Sequence, residues 1–179
     1  LLEKITGIEG AEMAALFFLP KEKSLKEKKH LLILDKISDP GNLGTILRTS
    51  DFAGVNGVIL IGDCCDPYSF EGVRASMGSL FAMPFYYATE EDFLAWKKGQ
   101  SLPMIAASMN GTVAHHEAPF GKSSLVIMGN EQSGLPDHFE AACDVLSRIP
   151  MREGADSLNL GIATGLMIYA ALGARGYKV

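Results

Sequence analysis

The stretch LLILDKISDPGNLGTILRTSDFAGVNGVILIGD, residues 31–63, constrains the fold more than any other. The run LLILDKI (31–37) is apolar and too short for a helix, so it reads as a buried strand. SDPGN (38–42) is turn chemistry. From 42 to 54, Leu43, Ile46, Leu47 and Phe52 recur at helical spacing and Gly54 provides the stop. Asn42 is the expected N-cap, its side chain accepting from a free first-turn amide. VNGVILIGD (55–63) is a second buried strand. Two strands joined through a helix pair in parallel.

The alternation continues to the end of the chain. A helix is expected over 69–81, a strand over 83–89, and a helix over 90–99 whose acids lead and lysines trail, as the helix dipole favours. Strands follow at 103–109, 123–129 and 144–151, and then an apolar helix over 158–174, capped by Asp156 or Ser157. The fold class is α/β, a sheet of about six strands flanked by helices. Residues 14–20, AALFFLP, read as a further strand closed by Pro20. KEKSLKEKKH (21–30) reads as a lysine-rich connector, more readily a solvated face than an RNA contact. Residues 1–30 are thus expected to be the remnant of an upstream region, and 31–179 one domain. The chain opens on Leu1, and a further domain upstream is expected.

Charge narrows the partners. A net charge of −5 excludes a simple basic coat for polyanions, though not a local basic patch. Arg74, Lys97, Lys98 and Lys122 are the cations available for one, each also an ordinary surface charge. The three cysteines, Cys64, Cys65 and Cys143, fit neither a disulfide framework nor a zinc spacing. They point to a reducing compartment and to no metal. The apolar run 158–174 is shorter than the roughly 20 residues that span a bilayer and contains Asn159, Thr164 and Tyr169. No membrane partner is expected, and Gly161 and Gly165 read as close-packing positions in a core or at a subunit interface.

Three stretches carry chemistry. In the first, Asn42 opens a helix and Arg48 lies six residues on, either a surface cation or the edge of the buried face. A helix start after a parallel strand also invites an anion. In the second, LVIMGNEQSGLP (125–136), a strand runs into Gly129, Asn130 and the only carboxylate of the loop, Glu131. Glycine there lets backbone approach a ligand, and Pro136 suits the start of a short helix. The third, RIPMREGADSLNLGIATG (148–165), puts Asn159 at the mouth of an apolar helix, where a poor helix former requires hydrogen-bond partners.

Together, DPGNLGTILRTSDFAG, IMGNEQSGLP and RIPMREGADSLNLGIATG, in that order, resemble the three motifs of the SpoU/TrmH group of SPOUT RNA methyltransferases. CCDPYSFEGVRASMGSLF (64–81) resembles the family's segment between motifs one and two. The resemblance covers about residues 31–175. It implies a SPOUT-type parallel sheet with a C-terminal trefoil knot, S-adenosylmethionine as cofactor, a homodimer, and methylation of a ribose 2′-hydroxyl in tRNA or ribosomal RNA. It places Arg48, Asn42, Glu131, Ser157 and Asn159 in the catalytic set. It places Gly129, Ile149 and Leu158 around the cofactor, with Met128, Asn130, Met151 and Asn159 beside them. Ala155 and Asp156 depart from a frequent hydrophobic residue, and Gly161 from a frequent serine, which bears on subfamily. A cytoplasmic enzyme is implied, or an organellar one in a eukaryote.

Chemistry refines these roles. A guanidinium is hardly ever deprotonated, so Arg48 is read as a clamp on phosphate and forming alkoxide rather than as a base. Ser157 would orient Arg48 or the ribose, including across a dimer. Asn159 would hold the cofactor loop or the ribose. Glu131 has two candidate jobs, pinning the motif-one loop or accepting a proton. Two rivals remain at this stage. Gly41, Gly44 and Asp63 imitate part of a dinucleotide fingerprint, as in an NAD-dependent oxidoreductase, but its third glycine is missing. A non-catalytic RNA-binding protein on the same fold is the other.

Overall fold

The computed structural model describes residues 3–4, 9–10, 29–154 and 156–179. The expected strand at 14–20, the connector over 21–28 and the departure at Ala155 lie outside them. The elements run β1 (His30–Asp35), α1 (Pro40–Phe52), β2 (Gly57–Ile61), α2 (Phe70–Ser76), α3 (Ser79–Ala82), β3 (Phe85–Ala88), α4 (Glu90–Lys98), β4 (Met104–Ala107), β5 (Val113–Ala114), β6 (Ser124–Met128), α5 (Asp137–Ala142), β7 (Val145–Arg148) and α6 (Leu160–Gly173). They build a seven-stranded sheet in the order β3-β2-β1-β6-β4-β7-β5. Every pairing is parallel.

The central strands β1, β2, β4 and β6 are almost wholly apolar because both faces are covered. Leu32, Leu34, Val58, Leu60, Ile105 and Val126 pack with α1 and α6 on one face. Their neighbours Leu31, Ile33, Ile59, Ile61, Leu125 and Ile127 pack on the other against Phe93 of α4 and Phe139 of α5. The chain leaves β1 for β2 and β3 on one side, whereas β6, β4 and β7 lie on the other. The adjacent carboxyl ends of β1 and β6 therefore form the switch point where an open α/β sheet admits a ligand.

Four local expectations are corrected. Asp39, not Asn42, caps α1: its carboxylate accepts from the Asn42 amide at 2.6 Å, with Pro40 just inside the helix. Pro40 has no N–H to leave unsatisfied and suits that first position. The expected helix 69–81 is two short ones, broken at Met77 and Gly78, both in the left-handed region (φ 50° and 95°). The last helix is capped by Asn159 rather than Asp156 or Ser157. The seventh strand, β5, has only two residues, too few for any periodicity to show.

Gly161 and Gly165 let α6 lie close on α1. A Cβ on Gly161 would sit 3.4 Å from the Thr45 methyl, and one on Gly165 3.7 Å from that of Thr49. Helix α6 has 14 residues, and no helix among the described residues is long and apolar enough to cross a membrane.

Candidate active site

Each of the three motifs delivers one side chain to a common chain of hydrogen bonds. Glu131, past the end of β6, reaches across to the loop after β1. One carboxylate oxygen accepts from the Ser38 amide (3.2 Å) and hydroxyl (2.9 Å). The other accepts from the Asp39 amide (3.2 Å) and from Nδ2 of Asn42 (3.3 Å). Oδ1 of Asn42 then accepts from Nδ2 of Asn159 at 2.9 Å. Oδ1 of Asn159 accepts from the Ile162 amide, which caps α6. The chain has one direction. A backbone donor fixes one end, a carboxylate fixes the other, and both asparagine amides between them have a single allowed orientation.

Asn42 is free for this because Asp39 does the capping. Burial works against the Glu131 carboxylate, but its own backbone amide, the amide and hydroxyl of Ser38 and the Asn42 amide together outweigh it. Its pKa is held below the usual glutamate value. Asn42→Asp is expected to destabilise the protein by about 1–2 kcal/mol more than Asn42→Ala at neutral pH, since it sets a second carboxylate against Glu131. The gap should shrink as pH falls and one of the pair protonates. Urea unfolding at pH 7 and at pH 4 checks this.

Gly129 and Asn130 shape the motif-two loop. The loop folds back on itself, the Asn130 amide donating to the Gly134 carbonyl and the Gly134 amide to that of Asn130. A Cβ on Gly129 would lie 2.2 Å from the Gly134 carbonyl carbon, so the close approach that requires glycine is the loop's own. Asn130 donates to the Lys36 carbonyl at 2.7 Å, which ties the loop to β1. Met128 is buried in the sheet.

Two cavities adjoin this network. A polar cleft of about 370 Å³ is lined by Ser38, Asp39, Asn42, Glu131, Ser157 and Asn159, among others. A small, mostly apolar one of about 140 Å³ is lined by Ala107, Ser108, Met109, Ile149, Met151, Ser157, Leu158 and Ala163. It continues past Met109, Ile149 and Met151 into a third recess of about 320 Å³. Ser157 and Leu158 are walls of both the polar cleft and the apolar cavity.

Arg48 stands apart. It is exposed on α1 and its guanidinium lies 5.9 Å from the ring centre of Phe52. Among the described residues it forms no ion pair. It lines neither the polar cleft nor the apolar cavity that Ser157 walls. Of the other expected cations, Lys97 is committed to Asp144 at 3.2 Å and so ties α4 to the start of β7. Asp63, the supposed ribose acid, is exposed beyond the end of β2. Among the described residues no group of side chains could hold a metal ion.

Sequence reasoning missed Ser38, Asp39, Ser108 and Met109. Asp before Pro-Gly is a cap signal that could have identified Asp39. SMNG (108–111) looks like any turn, and only its place beside residues 149–158 gives it meaning.

An all-parallel α/β domain with a polar relay at the sheet's switch point and an apolar cavity beyond the ends of β4 and β7 has the layout of a ligand-binding domain. Comparison with known proteins makes this specific. The chain belongs to the SpoU rRNA Methylase family, whose model matches residues 29–169. It is 30% identical over 158 residues to the 23S rRNA (guanosine(2553)-2′-O)-methyltransferase RlmP of Bacillus subtilis, which covers 88% of this chain and 63% of that one. It is 30% identical over 147 residues to a 23S rRNA (uridine(2479)-2′-O)-methyltransferase of Streptomyces viridochromogenes, covering 79% and 51%. The chain thus spans between half and two thirds of these relatives' length. Among solved structures, an AdoMet-bound rRNA methyltransferase from Sinorhizobium meliloti superposes with a TM-score of 0.85 at 38% identity, over 99% of this chain and 70% of that one. The fold is that of the SPOUT methyltransferases.

Proposed function

We propose that this chain is the catalytic domain of an S-adenosylmethionine-dependent methyltransferase acting on a ribose 2′-hydroxyl in ribosomal or transfer RNA. The observation that carries the reading is the wall shared by the two cavities. Ser157 and Leu158 separate an apolar recess suited to a flat purine from a polar cleft whose carboxylate, amide and hydroxyl groups suit the hydroxyls of a ribose. The relatives' names and the bound cofactor of the Sinorhizobium meliloti structure support it.

The residues fit the cofactor. Ile149, Met151, Leu158 and Met109 provide the apolar surface for the adenine, and the main chain around Gly129 and the motif-three loop would provide its polar contacts. When bound, the cofactor supplies an electrophilic methyl group on a sulfonium. The chain's own residues position the acceptor. The Glu131–Asn42–Asn159 relay holds three loops in register, and Glu131 pins the motif-one loop rather than moving a proton. Asn159 fixes the start of α6 and with it Leu158. Arg48 clamps the target phosphate and stabilises the forming alkoxide.

The homodimer is part of the proposal. Leu158 just before α6 and Ile162, Leu166 and Tyr169 on it form an exposed apolar stripe, from 39% to 57% accessible, and Phe52 at the end of α1 is 63% accessible. A second copy seated there would bring a partner's motif-three loop toward Arg48. So is the knot, which rests on the likeness to the SPOUT methyltransferases. Residues 31–179 form the methyltransferase domain, 1–30 belong to a preceding region, and the cytoplasm or an organelle is the expected location.

The test is methyl transfer from radiolabelled S-adenosylmethionine to unmodified 23S rRNA and tRNA, followed by alkaline hydrolysis. A 2′-O-methyl group blocks cleavage, so label retained in an alkali-resistant dinucleotide is the expected result. Label on free mononucleotides would overturn the ribose assignment. Asn159→Ala is expected to cost about 1 kcal/mol of stability as a lost cap, and to weaken S-adenosylmethionine binding measured by calorimetry. An unchanged Kd removes the cofactor role of Asn159.

A further inference from the structure

The loop that walls the apolar cavity opposite Leu158 is held from outside the cavity. Its residues Ser108 and Met109 face the recess. Behind it stands Glu140 of α5. One oxygen of the Glu140 carboxylate accepts from the Ser108 hydroxyl. The other accepts from Nδ2 of Asn110 at 3.1 Å. The Ser108 oxygen in turn accepts from the Asn110 amide at 3.0 Å, and the Gly111 amide donates to the Ser108 carbonyl at 3.1 Å. A single carboxylate thus closes a four-residue turn. The turn's other anchor is the Ser108 amide on the Ser147 carbonyl of β7, at 2.8 Å.

Glu140 lines none of the three cavities around the motifs. Met109 is 68% exposed, so packing alone does not fix where it sits. The turn has the Ser147 anchor on one side and Glu140 on the other, and a wall of the recess moves if either goes. We propose that Glu140 is a positioning residue for cofactor binding: its carboxylate sets the Ser108–Gly111 turn, and through it the width of the recess. The inference rests on the cofactor assignment made above.

The chemistry distinguishes two variants. In Glu140→Gln the amide oxygen still accepts from Ser108. The new NH2 meets the Asn110 side chain, which faces solvent and can turn its Oδ1 toward it. Glu140→Gln is therefore expected to keep the turn, whereas Glu140→Ala loses both contacts.

The experiment is calorimetric titration of the full chain with S-adenosylmethionine, alongside amide hydrogen exchange of the cofactor-free protein. Glu140→Ala is expected to raise Kd at least about tenfold and to speed exchange at Asn110 and Gly111 by a similar factor. Glu140→Gln should stay within about threefold of the unaltered chain in both. Asn110→Ala should raise Kd several-fold, and it supplies the answer where Glu140→Ala fails to fold. Unaltered protein that does not bind S-adenosylmethionine refutes the cofactor assignment. Binding by the unaltered chain, with Kd unmoved in Glu140→Ala or Asn110→Ala, refutes the role of Glu140 alone. A Glu140→Gln as weak as Glu140→Ala also refutes it, since charge rather than the turn would then be what matters.

Discussion

Arg48→Ala is expected to reduce methyl transfer by at least about a hundredfold while the Kd for S-adenosylmethionine changes by less than about threefold. The reasoning is geometric. Arg48 lies on the outer side of α1, exposed and stacked on Phe52, whereas the walls of the apolar recess come from the ends of β4 and β7 and from the segment before α6. Removing Arg48 touches nothing that would hold the cofactor. It removes the one cation of motif one, the group available to a phosphate and to a developing alkoxide. Arg48→Lys keeps the charge but not the planar fork, and should recover less than about a tenth of the lost rate. Single-turnover methyl transfer and calorimetry on the same preparations separate the two effects. A fully active Arg48→Ala would exclude the clamp. A Kd that rises in step with the lost rate would move Arg48 into the cofactor site.

The sequence carried the frame well because the frame is periodic. Residues 31–37, 55–63, 103–109 and 123–129 are short apolar runs bounded by turn residues, and each is a strand of a sheet buried on both faces. It carried the caps less well. Asn42 and Asn159 are the same residue type near two helix starts, yet one caps and the other is capped by Asp39. The difference is local: Asp39 before Pro40 is the stronger cap signal ahead of Asn42, and no such pair precedes Asn159. The split of 69–81 at Met77 was hidden because a non-glycine residue in the left-handed region leaves no signature. The site was legible as residue types and not as contacts. Motif resemblance named Glu131, Asn42 and Asn159, but that they form one directed relay depends on β1 and β6 being neighbours, which is a property of the sheet order. Glu140 was invisible for the same reason: it lies 32 residues from Ser108, on an unremarkable short helix.

Glu131→Gln is expected to lower turnover by about a hundredfold, through displacement of the motif-one loop rather than through loss of a proton acceptor. Both Glu131 oxygens face donors that cannot turn away. Two are backbone amides, of Ser38 and Asp39, and a third is the Asn42 amide, whose orientation Asn159 fixes. A glutamine there presents an NH2 to a donor whichever way it is placed, so it cannot substitute as it does at position 140. Stability should fall by about 1–2 kcal/mol at neutral pH, the partial exposure of the group keeping the figure modest. The pH dependence has a definite sign. The folded Glu131 carboxyl titrates below its unfolded value of about 4.3. Its contribution is therefore complete above that value and is lost as pH falls through the folded one. The stability gap between the unaltered chain and Glu131→Gln should stay constant from pH 7 to about 5 and close as pH falls through the lowered folded value. Exchange at the Ser38 and Asp39 amides should accelerate in the variant at pH 7. Lost turnover with unchanged exchange and unchanged stability would instead assign Glu131 the proton, and the relay would then run through a catalytic base rather than end on an anchor.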